Sequence, residues 1–129
     1  SGIARGLYTA DDFLAVQARL DQLLAEQGVT FDGVYHCPHH PDFTGPCDCR
    51  KPGPGMYREA QRNLDIDLGR SVYIGDRVKD VLPAKRFGGL GILVATGYGT
   101  AEAEQIPTGV LRAANLPEAA ELAKKRLGA

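Results

Sequence analysis

Apolar positions along the chain recur with two different periods, and the switches between them divide it into elements. Phe13, Val16, Leu20, Leu23 and Leu24 fall at helical spacing. Thr9 stands where an N-cap belongs, Asp11 and Asp12 fill a first turn in which carboxylates complement the helix dipole, and Gly28 ends the run. This stripe is expected to be core. Phe31 to Cys37, with Val34 and Tyr35 inside it, predicts a short strand. A second helix is predicted from Pro54 to about Leu64, with Met56, Ala60 and Leu64 on one face. Ser71-Val72-Tyr73-Ile74-Gly75-Asp76 is an apolar run ending in Gly-Asp, as a buried parallel strand ends at a functional edge. A helix over roughly Asp80 to Phe87 follows, closed by Gly88 and Gly89. Then come a strand from Leu90 to Ala95, a glycine-rich turn from Thr96 to Thr100, a short strand from Leu111 to Ala114, and a helix from Pro117 to Leu127. The apolar positions around that last helix are Leu116, Ala120, Leu122 and Leu127. Alternating strands and helices predict an α/β fold with a Rossmann-like parallel sheet, whose ligands sit at the carboxyl ends of its strands.

Composition narrows the picture. A length of 129 residues with 43% hydrophobic content fits a single domain, 1–129, with a core of its own. A formal net charge of -1 gives no electrostatic case for nucleic acid or for an anionic membrane surface. No apolar run approaches a membrane span and no targeting segment is visible, so the expected setting is the cytoplasm. Sixteen glycines and eight prolines imply many tight connections.

The stretch from His36 to Met56 holds all three cysteines, all three histidines and five of the eight prolines. Cys37-x-His39 and Cys47-x-Cys49 place two ligand pairs at the ends of a short loop, 37–49, and three thiolates with one imidazole suit a closed, structural Zn²⁺ site. Cys37, His39, Cys47 and Cys49 are the expected ligands, with His36 and His40 as substitutes. A disulfide with a spare thiol is the competing reading; the odd cysteine count and the absence of a secretion signal argue against it. Arg50 and Lys51 directly follow the last ligand, and a guanidinium fork beside an ammonium suits a phosphate ester. Asp76, at a strand's carboxyl end, is a candidate Mg²⁺ ligand. Asp80 either joins it through water or by orienting Lys51, or is a plain helix-cap residue.

Gly75-Asp76-x-x-x-Asp80, preceded by an apolar strand and by Arg50-Lys51-Pro52, resembles the later motifs of the haloacid dehalogenase superfamily of phosphatases. Within it, Ser1-Gly2-Ile3-Ala4-Arg5-Gly6, Cys37-Pro38-His39-His40-Pro41, Cys47-Asp48-Cys49-Arg50-Lys51-Pro52 and Pro54-Gly55-Met56 are similar to the heptose bisphosphate phosphatases. The histidinol-phosphate phosphatases share the zinc loop and rank second, because they generally lack the first and last of these segments. The resemblance implies an Mg²⁺-dependent phosphatase of carbohydrate metabolism, on the route to lipopolysaccharide, acting on a small phosphorylated sugar and monomeric when complete. It implies Zn²⁺ at Cys37, His39, Cys47 and Cys49, Mg²⁺ at Asp76, substrate recognition by Ser1 and Arg50, phosphoryl stabilisation by Lys51, and Arg77 beside the substrate.

Members of this superfamily attack phosphorus with an aspartate of an Asp-x-Asp-Gly-Thr motif at the end of a first strand, and that motif does not occur in this sequence. Asp65-Ile66-Asp67 has the spacing but continues into Leu68-Gly69-Arg70 and reads as a connector. The chain opens on Ser1-Gly2-Ile3 without a methionine, so the expectation is the C-terminal part of a phosphatase, lacking its first strand and nucleophile and inactive alone. A non-catalytic, zinc-stabilised phosphosugar-binding remnant is the alternative.

Overall fold

The computed structural model describes residues 1–128. The chain divides into two compact units, Ser1–Leu64 and Asp65–Ala129.

In the first unit, helix α1 spans Ala10–Ala25. It starts at Thr9, whose hydroxyl accepts the Asp12 amide at 3.1 Å while the Asp12 carboxylate takes the Thr9 amide at 2.8 Å, a reciprocal capping box. The expectation that the α1 stripe is core does not hold: none of its residues is buried, and Val16 is 71% exposed. The predicted strand at Phe31 to Cys37 is likewise not formed as a strand. The two corrections share a cause. A strand exists only when its amides and carbonyls find a neighbouring strand, and a one-faced helix is buried only against a second layer. This unit contains no sheet among its described residues. After the single turn α2, Pro41–Thr44, and the cysteine pair, helix α3 runs over Gly55–Leu64 as predicted.

The second unit is built on a three-stranded parallel sheet in the order β1-β2-β3, from β1 at Val72–Gly75, β2 at Leu90–Val94 and β3 at Leu111–Ala113. Tyr73 pairs with Gly91, and Val94 with Ala113. Helix α4, Val78–Phe87, connects β1 to β2, whereas the single turn α5, Gly99–Glu102, and a 3₁₀ turn lie between β2 and β3. Helix α6, Leu116–Leu127, closes the unit from an Asn115 cap. The central strand is the core: Ile92 and Leu93 are fully buried and Val94 is buried. Side chains alternate across it, so Ile92 and Val94 meet Ala113 and Ala119 on one face, while Gly91 lets Ala84 of α4 approach the other. This is the α/β parallel architecture expected from the sequence. Asp65-Ile66-Asp67 is a connector here too: the Asp67 carboxylate caps a 3₁₀ turn by accepting the Gly69 amide at 2.8 Å. Among the described residues, no helix is long and apolar enough to cross a membrane.

Candidate active site and metal centre

In the first unit, the four expected ligands converge. One donor atom from each of Cys37, His39, Cys47 and Cys49 lies within 4.8 Å of all the others. The Cys49 sulfur is 2.9 Å from that of Cys37 and 3.4 Å from that of Cys47, and His39 Nδ1 is 3.2 Å from Cys49 Sγ. All three cysteines are free thiols. The disulfide reading falls, since a bonded pair would stand at about 2.05 Å. Burial first, then the neighbouring Cys37 and Cys47 sulfurs, push the Cys49 thiol up to about 12. Such a cluster is costly without a cation to share, and its donor set can coordinate a metal. The other two histidines have separate work. His36 stacks on Phe13 with ring centroids 4.0 Å apart, and His40 Nδ1 accepts the Asp42 amide at 3.2 Å to cap α2.

The turn that leaves the cluster is forced by close backbone approach. The Gly53 amide donates to the Arg50 carbonyl and the Gly55 amide to the Asp48 carbonyl, both at 2.8 Å. A Cβ on Gly53 would lie 2.5 Å from the Asp48 carbonyl oxygen, so no other residue fits there unchanged. Arg50 and Lys51 are thus carried on a tight turn anchored to the last ligand. Ser1 belongs to the same neighbourhood, its amino group donating to the Cys37 carbonyl at 3.3 Å.

In the second unit, Asp76 follows the last residue of β1, at the strand's carboxyl end. Its Oδ2 accepts the Tyr98 amide at 3.0 Å, which fixes the carboxylate and leaves Oδ1 for a hard cation. The glycine-rich turn wraps this oxygen: Gly97 sits at φ +60°, and a Cβ there would come within 2.2 Å of Asp76 Oδ2. Asp80 Oδ2 accepts the Arg77 amide at 3.1 Å, the bond that a helix-cap residue makes at the start of α4. Two residues to which the sequence analysis gave no role stand beside Asp76. Glu102 accepts Arg77 Nε through one carboxylate oxygen and the Val78 amide through the other, the latter at 2.5 Å. The Arg77 guanidinium carbon lies 4.4 Å from the centroid of the Tyr98 ring. The Val78 amide holds the Glu102 carboxyl below its ordinary range, reinforced by Arg77 against the opposing effect of burial. Glu102 is 24 residues from Val78, and nothing local in the sequence announces the pairing.

An HAD-hydrolase-like family model matches residues 48–119, more than half of the chain. The chain belongs to the haloacid dehalogenase-type hydrolases. Among its relatives, the D-glycero-beta-D-manno-heptose-1,7-bisphosphate 7-phosphatase of Yersinia pestis is 45% identical over 127 residues, which cover 92% of this chain and 68% of the relative. The enzyme of the same name from Escherichia coli K12 is 41% identical, with 97% and 70% covered. The crystal structure of D,D-heptose 1,7-bisphosphate phosphatase from B. bronchiseptica, complexed with magnesium and phosphate, superposes at a TM-score of 0.87 with 36% identity, over 97% of this chain and 70% of that one. The chain therefore spans about two thirds of the length of these haloacid dehalogenase-type relatives.

Proposed function

We propose that this chain serves an Mg²⁺-dependent phosphomonoesterase that removes the 7-phosphate from D-glycero-D-manno-heptose 1,7-bisphosphate, a step towards lipopolysaccharide and other heptose-containing glycans. The observation that carries the reading is the converged Cys/His cluster with Arg50-Lys51 anchored to its last ligand, in a chain 45% identical to a relative of that name. The enzyme works as a cytoplasmic monomer, and residues 1–129 belong to one phosphatase domain.

The metal at the cluster is Zn²⁺. Tetrahedral zinc with Zn–S bonds of about 2.3 Å separates its sulfurs by about 3.7 Å. The sulfurs here stand 2.9 to 3.6 Å apart, so a modest opening of the loop accommodates the ion. Four protein ligands leave no position for a reactive water, so this zinc is structural.

The residues then take the following roles. Arg50 and Ser1 grip the substrate, Lys51 neutralises the oxygens of the transferring phosphoryl group, and Arg77 lies beside the substrate. Asp76 would hold Mg²⁺ through its carboxylate, and the ion when bound would supply further charge neutralisation there. An aspartate from an Asp-x-Asp-Gly-Thr segment, absent from residues 1–129, attacks phosphorus as the bond to the C7 oxygen breaks. A second aspartate protonates that leaving oxygen, and water then cleaves the aspartyl-phosphate to give inorganic phosphate.

The test is ³¹P NMR of heptose 1,7-bisphosphate incubated with Mg²⁺ and a polypeptide that joins this chain to such a segment. Loss of the C7 phosphate with the C1 phosphate retained is expected. Release from C1, or faster turnover of histidinol phosphate, overturns the assignment. The missing aspartate motif favours one second reading, a zinc-stabilised phosphosugar-binding module without catalysis. Reading the codons in frame before Ser1 separates the two.

A further inference from the structure

We propose that Glu102 and Tyr98 act as a cradle that positions Arg77, so that the guanidinium presents its Nη edge to the oxygens of a bound phosphorylated sugar. The inference rests on the phosphatase reading for the identity of that ligand, but the cradle itself stands on contacts within the second unit.

An arginine side chain on a helix-start residue has several rotatable bonds and ordinarily samples many orientations. At Arg77 two independent contacts remove that freedom. The Glu102 carboxylate takes the Nε–H, and the Tyr98 ring lies 4.4 Å from the guanidinium carbon, which restricts where the planar group can go. Glu102 is in turn anchored by the Val78 amide through its second oxygen. A guanidinium carries five N–H donors. With the one at Nε committed to Glu102, the four on Nη1 and Nη2 remain as the two-pronged edge that pairs with phosphate or carboxylate oxygens.

The cradle is also tied to the Asp76 carboxylate. The amide of Tyr98 donates to Asp76 Oδ2 while its ring carries Arg77, so one residue of the glycine-rich turn sets the position of an acidic and a basic group at once. Arg77 follows Asp76 in sequence, and both start from the carboxyl end of β1, the edge where open α/β sheets bind ligands. A carboxylate behind the guanidinium also offsets part of its charge. The aimed Nη edge still favours a ligand with a compact anionic group over a neutral sugar, because only the former makes a charge-assisted pair.

Glu102 is accordingly a positioning residue, and its removal should affect recognition more than the chemical step. In an active enzyme carrying this chain, E102Q is expected to raise KM for heptose 1,7-bisphosphate about tenfold, as for loss of one charge-assisted hydrogen bond, with kcat changed less than about twofold. Y98A should do the same, whereas Y98F keeps the ring face and stays near wild type. The deciding measurement is the double-mutant cycle. In an R77A background, E102Q should add nothing, because its effect passes through Arg77. Additive losses, or a fall in kcat matching the rise in KM, would overturn the proposal. A second readout needs no turnover: in wild type the Arg77 Hε resonance should be protected from exchange, and in E102Q it should exchange like that of a solvated arginine. Lack of protection in wild type rejects the cradle, while protection in a polypeptide that joins this chain to the aspartate segment, without any turnover of heptose 1,7-bisphosphate, rejects the phosphatase reading and leaves the cradle standing.

Discussion

Asp76 Oδ2 accepts the Tyr98 backbone amide at 3.0 Å, so the carboxylate at the end of β1 is aimed by the turn that follows β2. Gly97 makes this possible, with φ at +60° and no side chain to collide with the carboxylate. Gly97→Ala should therefore lower Mg²⁺-dependent activity by at least tenfold, through an enforced shift of Asp76 and about 1 kcal/mol of left-handed backbone strain. Steady-state kinetics against Mg²⁺ concentration, with thermal melting in parallel, check it. The expected signature is a weakened Mg²⁺ dependence in a protein that remains folded.

The metal cluster makes a separate prediction. A preparation never exposed to chelator should contain about one zinc per chain, and Cys49→Ser should lose the metal and with it the order of residues 36–56. Thiols and imidazole bind a cation in their deprotonated forms, and the Cys49 thiol sits high, at about 12. Loading must displace its proton, so zinc uptake releases acid and the bound metal is lost as pH falls. Metal analysis and a colorimetric thiol–zinc assay across pH test this. A metal-free chain with unchanged melting would refute the assignment.

If the proposed roles hold, Lys51→Ala and Asp76→Asn should each reduce kcat by about 10²-fold or more in an active enzyme carrying this chain, as expected for groups that neutralise charge developing on a phosphoryl group. Arg50→Ala should chiefly raise KM or broaden substrate choice. Equal and mild effects from all three would mean that the reacting phosphate lies elsewhere.

The polypeptide Ser1 to Ala129 by itself should release no phosphate from heptose 1,7-bisphosphate. Its one Asp-x-Asp, Asp65-Ile66-Asp67, is a connector in which Asp67 is occupied in capping the following turn. Turnover in the ordinary enzymatic range of about 1 to 10³ s⁻¹ from a sample of matching intact mass would restore Asp65 or Asp67 as a nucleophile.

The elements that the sequence revealed are those whose signals are local. The run Val72 to Gly75 and its neighbour Leu90 to Val94 are apolar on both faces, and Gly88 ends α4 in the left-handed conformation the pattern required. The convergence of Cys37, His39, Cys47 and Cys49 was equally legible, because they are close in sequence and their chemistry is distinctive. Burial was not. Phe13 and Val16 have the spacing of a core stripe, yet spacing states only which face is apolar and not whether a second layer lies against it. Phe31 to Cys37 shows the same gap, since β-forming residues do not supply a pairing strand. Glu102 was invisible for another reason. A lone acidic residue has many uses, and its bonds to Arg77 and Val78 close a loop of more than twenty residues.

The two units differ in what holds them together. Every buried apolar side chain among the described residues, from Leu68 to Ala119, lies in the second, whereas in the first only Gly2 is buried. A segment without an oily interior relies on other cross-links, and here the proposed zinc at the Cys/His cluster would be the strongest available. Arg50 and Lys51 are presented by that segment, so with zinc at the cluster the supply of a trace metal would govern a reaction whose chemistry uses magnesium. A cell short of zinc would then lose this phosphatase at unchanged magnesium, with its heptose-containing surface glycans declining as a downstream sign of trace-metal starvation.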